Sequence, residues 1–205
     1  MRKIILIGDS TIDDNTCGWG KSLNKYVKYK VINLALSGRS TKSFINEGHW
    51  KNTIKILNSD DYLIIQFGHN DQKLEDISRG TNPFIEFKEN LLTFVNTAIK
   101  LNAKPILVTP VERRVFNDEK KIENTLEDYP LVVRNLAKEL NIPLIDLQKL
   151  SSKLYTDLGL SESKKLFIWY DGDLVGKPDN THFNDSGSRK IAKLVASELN
   201  NILSK

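Results

Sequence analysis

Four short polar blocks of the sequence contain residues whose types suit covalent catalysis. Ser10 lies in a Gly-Asp-Ser-Thr block and Gly38 in a Ser-Gly-Arg-Ser block. Asn70 lies in a Gly-His-Asn-Asp block, and His182 follows Asp179 by three residues near the other end of the chain. A hydroxyl, an imidazole and a carboxylate are the groups that a nucleophile, a general base and its orienting partner require. The blocks therefore predict a nucleophilic site, provided that the fold brings them together.

The chemistry of each side chain predicts its role. Ser10 is a weak nucleophile at neutral pH unless a base, here His182, removes its proton during the attack. Asp179 would hold the imidazole tautomer and stabilise the imidazolium. The backbone N–H groups of Ser10 and Gly38, with the side-chain amide of Asn70, would form an oxyanion hole. Each block alone is weak evidence because Gly, Asp and Ser are common in turns, but together they predict a serine hydrolase.

Alternating strands and helices must position these blocks. Apolar runs rich in Ile, Val and Leu predict buried parallel strands over Lys3–Ile7, Val31–Leu34, Tyr62–Phe67, Pro105–Val108 and Pro143–Leu147. Amphipathic patterns predict helices over Pro83–Leu101, Asp128–Leu140 and Asp185–Leu203. We therefore expect one domain, residues 1–205, with a flavodoxin-like three-layer α/β/α fold and a five-stranded parallel sheet in the order 2-1-3-4-5. In that order the first three strands are adjacent, so the blocks that follow them converge at their carboxyl ends.

The four blocks resemble those of the SGNH (GDSL-like) hydrolase superfamily, which is named for its Ser, Gly, Asn and His residues. Ser10, Gly38, Asn70 and His182 occur in that order, and the resemblance covers essentially the whole chain. Within the superfamily, the sequence is similar to the rhamnogalacturonan acetylesterase family in several segments. These are Gly8–Thr11, Gly68–Asp71, Val108–Val111, Arg113-Arg114 and Asp179–Phe183.

This resemblance implies a Ser-His-Asp triad, no metal or other cofactor, and the removal of acetyl groups from pectic sugars, with a small acetylated carbohydrate as substrate. Acetylated xylan, a lysophospholipid and a thioester are alternative substrates. A long acyl chain needs an apolar trench, whereas the loops after the strands are polar, so a short acyl group fits better. A non-catalytic phosphate-binding module is a further alternative, but the carboxylates of Asp9, Asp13 and Asp14 would repel a dianion.

Four further residues are candidate substrate contacts: His69, Arg113, Arg114 and Trp169. His69 lies next to Asn70, and its alternative role is a structural hydrogen bond within the turn. Arg113 and Arg114 would bind the carboxylate of an acidic sugar, or belong to a solvated loop. Trp169, with Tyr170, would stack on a sugar ring, or pack in the core.

Length and composition limit the other classes of function. The chain has 205 residues, of which 40% are hydrophobic and 27% charged, as is typical of a globular domain. Its net charge of +4 is spread without a Lys/Arg block, so we expect no nucleic-acid partner. No apolar run approaches the roughly 18 residues of a membrane span.

The compartment and the absence of a metal are also expectations from the sequence. The apolar stretch Ile4–Ile7 is too short for a signal-peptide core, so we expect a cytoplasmic protein that acts on acetylated oligosaccharides. The single cysteine, Cys17, fits a reducing compartment. The three histidines have no cysteine or carboxylate partner at ligand spacing, so no metal site is predicted, and Asp171–Asp173 is expected to form a turn.

Overall fold

The computed structural model describes residues 2–168 and 179–204. Residues 169–178 lie outside this description, and with them the sugar-stacking prediction for Trp169 and Tyr170 and the turn predicted at Asp171–Asp173. Asp179 and His182 are described, so each predicted catalytic residue has a place in the structure.

A five-stranded parallel sheet lies at the centre of the fold, in the order β2-β1-β3-β4-β5. In its register, Ile4 of the central strand pairs with Val31 on one side and Tyr62 on the other. The predicted fold class and strand order are confirmed. The strands are β1 (Lys3–Gly8), β2 (Lys30–Asn33), β3 (Tyr62–Gln66), β4 (Lys104–Val108) and β5 (Leu144–Ile145).

Helices cover both faces of the sheet because successive strand residues point to opposite sides. On one face, Ile4 and Leu6 pack against α1, α6 and α7; on the other, Ile5 and Ile7 pack in the cluster that contains α2 to α5. The helices are α1 (Gly20–Leu23), α2 (Thr41–Asn46), α3 (His49–Ile56), α4 (Lys88–Lys100), α5 (Tyr129–Glu139), α6 (Leu147–Lys164) and α7 (Asp185–Leu203). Within residues 2–168 and 179–204, no helix has both the length and the apolar character needed to cross a bilayer.

The structure differs from the sequence-based expectation at five elements. Sequence periodicity does not predict α1 or α2, which are too short to show it, nor α6, which Gly159 interrupts with a φ of 69°. The strand predicted at Pro143–Leu147 is only two residues long because α6 already begins at Leu147. The helix predicted at Pro83–Leu101 begins as a π-helical turn, Pro83–Phe87, before α4.

Candidate active site

The structure brings Ser10, His182 and Asp179 into one chain of hydrogen bonds. The Ser10 Oγ lies 2.9 Å from the His182 Nε2, and the His182 Nδ1 lies 2.7 Å from the Asp179 Oδ2. The other carboxylate oxygen, Asp179 Oδ1, accepts hydrogen bonds from the backbone N–H groups of Thr181 and His182, both at 2.8 Å. This tight turn lets a carboxylate reach an imidazole only three residues away. With Nδ1–H donating to Asp179, Nε2 is left to accept the Ser10 proton.

Local structure on both sides fixes the nucleophile and the base. Ser10 lies two residues after the end of β1, and the Thr16 hydroxyl donates to its carbonyl oxygen at 2.5 Å. His182 precedes α7, whose N-cap residue Asn184 accepts a hydrogen bond from the Gly187 N–H. Ser10 is only 7% exposed, so its hydroxyl is reached through a cavity.

The predicted oxyanion donors converge next to Ser10. Gly38 has a φ of 77° and faces open space, since a Cβ built there would meet only the Arg79 guanidinium, at 3.9 Å. Within the described part of the chain, the backbone N–H groups of Ser10 and Gly38 have no hydrogen-bond partner. The Asp13 carboxylate supports the Gly38 turn by accepting from the Ser37 N–H at 2.9 Å.

The Asn70 amide is held at both of its polar atoms. Its Nδ2 donates to the Arg39 carbonyl at 3.1 Å, and its Oδ1 accepts from the Lys73 Nζ at 3.1 Å. An amide nitrogen has two N–H groups, so one of them remains for a substrate oxygen.

The electrostatics favour an ionised Asp179 and a basic His182. Burial raises the pKa of Asp179, but hydrogen bonds from the His182 ring and from the backbone N–H groups of His182 and Thr181 outweigh it and lower the pKa to about 2. The hydrogen bond to Asp179 raises the pKa of His182; burial and the Lys73 charge act against this, while the Asp179 and Asp9 charges add to it. His182 is therefore a stronger base than a free histidine.

His69 forms a second histidine–carboxylate pair beside the nucleophile. Its Nδ1 lies 3.1 Å from the Asp9 Oδ2, while its Nε2 is buried without a hydrogen-bond partner in the described part of the chain. Burial raises the pKa of Asp9, but the charge and hydrogen bond of His69, with hydrogen bonds from Thr11, outweigh it and lower the pKa. Both of the predicted roles of His69, in the turn and beside the substrate, are compatible with this position.

The two neighbouring arginines have different places. Arg113 lines the cavity; its Nη1 donates to the Gln72 Oε1 at 2.9 Å and to the Thr125 carbonyl at 3.0 Å. Its Nε and Nη2 make no hydrogen bond to the described residues, and burial lowers the pKa of Arg113.

Arg114, predicted with Arg113 to contact the substrate, does not line the cavity. Its guanidinium donates to the Ser163 Oγ at 2.8 Å, to the Asn180 Oδ1 at 3.1 Å and to the Leu160 carbonyl. Its backbone N–H also donates to the Asn180 carbonyl at 2.8 Å. Arg114 thus ties the loop that carries Asp179 and His182 to α6.

These groups surround a cavity of about 340 Å³ at the carboxyl ends of β1, β2 and β3. The described residues that line it include two cations, Lys73 and Arg113, and no acidic side chain. Sequence reasoning missed Lys73, although it lies three residues after Asn70, within one turn of it. The lining residues are Ser10, Ser37, Gly38, His69, Asn70, Lys73, Arg113, Thr181 and His182.

Several known proteins are similar to this chain in sequence and in fold. The model of the GDSL-like lipase/acylhydrolase family matches residues 6–190. Rhamnogalacturonan acetylesterase RhgT of Bacillus subtilis (strain 168) is 41% identical over 207 residues, which cover 95% of this chain and 88% of RhgT. The crystal structure of the B. subtilis protein YxiM matches with a TM-score of 0.85 and 29% identity over 98% of this chain, which spans 56% of that structure.

A more distant structure shows the same fold. A variant of Axe2, an acetyl-xylooligosaccharide esterase from Geobacillus stearothermophilus, matches with a TM-score of 0.73 at 18% identity, covering 97% of this chain and 94% of that one.

The chain belongs to the GDSL-like lipase/acylhydrolase family. It is a carboxylic ester hydrolase, and the phosphate-binding alternative is set aside.

Proposed function

We propose that this hydrolase removes O-acetyl groups from pectic, rhamnogalacturonan-type oligosaccharides through an acyl-enzyme on Ser10. The observation that carries the mechanism is the continuous Ser10–His182–Asp179 hydrogen-bond chain. Ser10 Oγ would attack the acetyl carbonyl as its proton passes to the His182 Nε2, which then returns the proton to the departing sugar oxygen. Water, activated by the same imidazole, would release acetate and restore Ser10.

The proposed oxyanion hole supplies what the tetrahedral intermediate requires. Its negative oxygen would accept hydrogen bonds from the Ser10 and Gly38 backbone N–H groups and from the Asn70 amide. Because these groups are fixed before substrate binds, they do not need to reorganise during the reaction.

Two observations support a short acyl group on an acidic sugar. The described lining of the cavity is polar and offers no apolar trench for a long acyl chain, which disfavours the lysophospholipid and thioester alternatives. Arg113 presents at the cavity guanidinium N–H groups that no described residue accepts, and they would bind the carboxylate of a uronic acid next to the acetylated position. Xylan acetyl groups, the runner-up substrate, lie on a largely neutral polymer and would leave this charge unused.

Replacement of the nucleophile tests the mechanism. Ser10→Ala should lower kcat for para-nitrophenyl acetate by about 10⁵–10⁶-fold while the melting temperature changes little, because the side chain loses one oxygen. The matched control is His49→Gln, which changes a histidine that contacts Glu47 outside the cavity and should leave kcat unchanged. Activity of Ser10→Ala within about tenfold of wild type would contradict the acyl-enzyme.

Acetate release from a panel of substrates tests the substrate class. Acetylated pectic oligosaccharides should give a higher kcat/KM than acetylated xylo-oligosaccharides of equal length. Arg113→Gln should raise KM for the pectic substrate by about tenfold, the value of one charge-assisted hydrogen bond. Arg2→Gln removes the same charge at the opposite end of the sheet, beside Asp60, and should change neither constant. A preference for acetylated xylo-oligosaccharides would keep the mechanism and overturn the substrate.

A further inference from the structure

Lys73 lies beside the proposed oxyanion hole and has no place in the Ser-His-Asp mechanism. Residues 70–73 form a turn in which the Lys73 N–H donates to the Asn70 carbonyl at 3.2 Å. The Lys73 side chain returns along this turn, lines the cavity and places its Nζ 3.1 Å from the Asn70 Oδ1.

This contact decides which end of the Asn70 amide faces the cavity. Only the nitrogen of a carboxamide can donate to an oxyanion, whereas its oxygen would repel one. Asn70 is 4% exposed, so water does not compete strongly for its polar atoms. Rotation of the amide by 180° would place its oxygen against the Arg39 carbonyl and its N–H groups against the Lys73 ammonium, and both contacts would be repulsive.

The ammonium also changes the strength of the donor. A cation hydrogen-bonded to the amide oxygen draws electrons from the nitrogen and makes its remaining N–H a better donor, as in other hydrogen-bond chains. The Lys42 ammonium, by contrast, binds the Ile77 carbonyl of the same loop and does not line the cavity.

We propose that Lys73 is a positioning residue of the oxyanion hole, which orients and polarises the Asn70 amide; this inference rests on the proposed serine-esterase function. Its contribution is made in the transition state, where the oxygen carries negative charge, and not in the binding of a neutral ester.

The first test separates catalysis from binding with a neutral ester. With para-nitrophenyl acetate, Lys73→Met should lower kcat by about 10–100-fold, approaching the loss of one oxyanion donor, and leave KM within about twofold. Lys73→Arg, which keeps a cationic donor, should recover most of this activity. Lys42→Met is the matched control for the loop and should leave kcat unchanged, since Lys42 donates to the Ile77 carbonyl and does not line the cavity.

A double-mutant cycle tests whether Lys73 acts through Asn70. Asn70→Ala alone should lower kcat by about 10²–10³-fold, and Lys73→Met should then cost about threefold or less in that background. The same factor in both backgrounds would overturn the proposal, as would a raised KM with an unchanged kcat or a failure of Lys73→Arg to recover activity. Should Lys73→Met fail to fold, Lys73→Gln replaces it in the same cycle.

The pH profile gives a second, independent readout. Among the described residues, the charges of Asp179 and Asp9 raise the pKa of His182 and the charge of Lys73 lowers it, and Arg113 lines the same cavity. Removal of the Lys73 charge should therefore move the acid limb of kcat/KM to higher pH, which a purely structural role would not do. An unmoved limb contradicts the proposal. If wild type is inactive or Ser10→Ala is active, the proposed function itself has failed, and the two failures are thus distinguished.

Discussion

At the scale of single residues, the hydrogen bond between Asp179 and His182 determines how the reaction should depend on pH. From the sequence, a carboxylate would raise the pKa of the histidine and burial would lower it, with no basis for choosing between them. The 2.7 Å contact resolves this, because the hydrogen bond outweighs burial and raises the pKa of His182.

We therefore expect the acid limb of kcat/KM to lie above the pH at which an ordinary histidine titrates, since His182 must be neutral to accept the Ser10 proton. Asp179→Asn should move the limb to lower pH and slow the reaction by roughly 10⁴-fold, because an amide stabilises neither the tautomer nor the imidazolium. Asp185→Asn makes the same chemical change at an exposed position bound to Lys21 and serves as control. A limb that does not move in Asp179→Asn would separate Asp179 from the base.

The residue types alone predicted which side chains meet, but not how each one is held. Ser10, Asp179 and His182 could be named because few residue types perform nucleophilic catalysis, and the structure brings them within hydrogen-bond distance. Lys73 and Arg114 could not be placed, since lysine and arginine are common on protein surfaces. Only the three-dimensional structure shows that Lys73 reaches Asn70 and that Arg114 reaches Asn180.

At the scale of elements, the strands were easier to predict than the helices. Buried parallel strands are continuous apolar runs that sequence reveals directly. A six-residue helix such as α2 gives no periodic signal. Its start is capped locally by Ser40 and Ser43 and is also held by a contact that is distant in sequence. There, the Asp71 carboxylate accepts hydrogen bonds from the Thr41 N–H at 3.1 Å, from the Thr41 hydroxyl at 2.5 Å and from the Thr81 hydroxyl at 3.0 Å.

This junction should make stability depend on pH. Burial raises the pKa of Asp71 to about 7, against the hydrogen bonds from Thr41 and Thr81 that lower it. The pKa of Asp71 is higher in the folded state than in the unfolded state. Its contribution to the free energy of unfolding is therefore present at low pH and is lost as the pH rises through about 7. Asp71→Asn, which cannot ionise, should therefore gain stability relative to wild type between about pH 5 and 8, by at least 1 kcal/mol or about 2–4 °C in Tm.

Asp61→Asn provides a control, because the pKa of Asp61 is lowered in the folded state whereas that of Asp71 is raised. Burial raises the pKa of Asp61, but hydrogen bonds from Lys3 and from the Asn58 N–H outweigh it and lower the pKa, so the group stays charged in the folded and unfolded states across this range. The Asp61→Asn replacement should therefore lower the free energy of unfolding by a similar amount at about pH 5 and at about pH 8. Parallel Tm curves for wild type and Asp71→Asn would show that Asp71 does not titrate in this interval.

At the scale of the whole molecule, the net positive charge of the chain has the same sign as the charged side chains that line the cavity. The chain carries a net charge of +4, and the described lining of the cavity has cations but no acidic side chain. The carboxylates of Asp9 and Asp179 already form hydrogen bonds, Asp9 with His69 and Asp179 with His182. An acidic substrate would therefore approach a surface and a cavity of opposite charge.

Such an arrangement should make turnover of acidic substrates sensitive to salt, because ions screen attraction over about 10 Å at 0.1 M and about 3 Å at 1 M ionic strength. Between about 0.02 M and 0.5 M NaCl, we expect kcat/KM for an acetylated pectic oligosaccharide to fall several-fold, while that for para-nitrophenyl acetate changes little. Arg113→Gln should flatten the dependence for the acidic substrate, because it removes the cation proposed to meet the uronate, and Arg2→Gln should not. An equal response of the charged and the neutral substrate to salt would show that the cations of the cavity do not select for acidic sugars, and the proposed preference for pectic oligosaccharides would then lose its electrostatic basis.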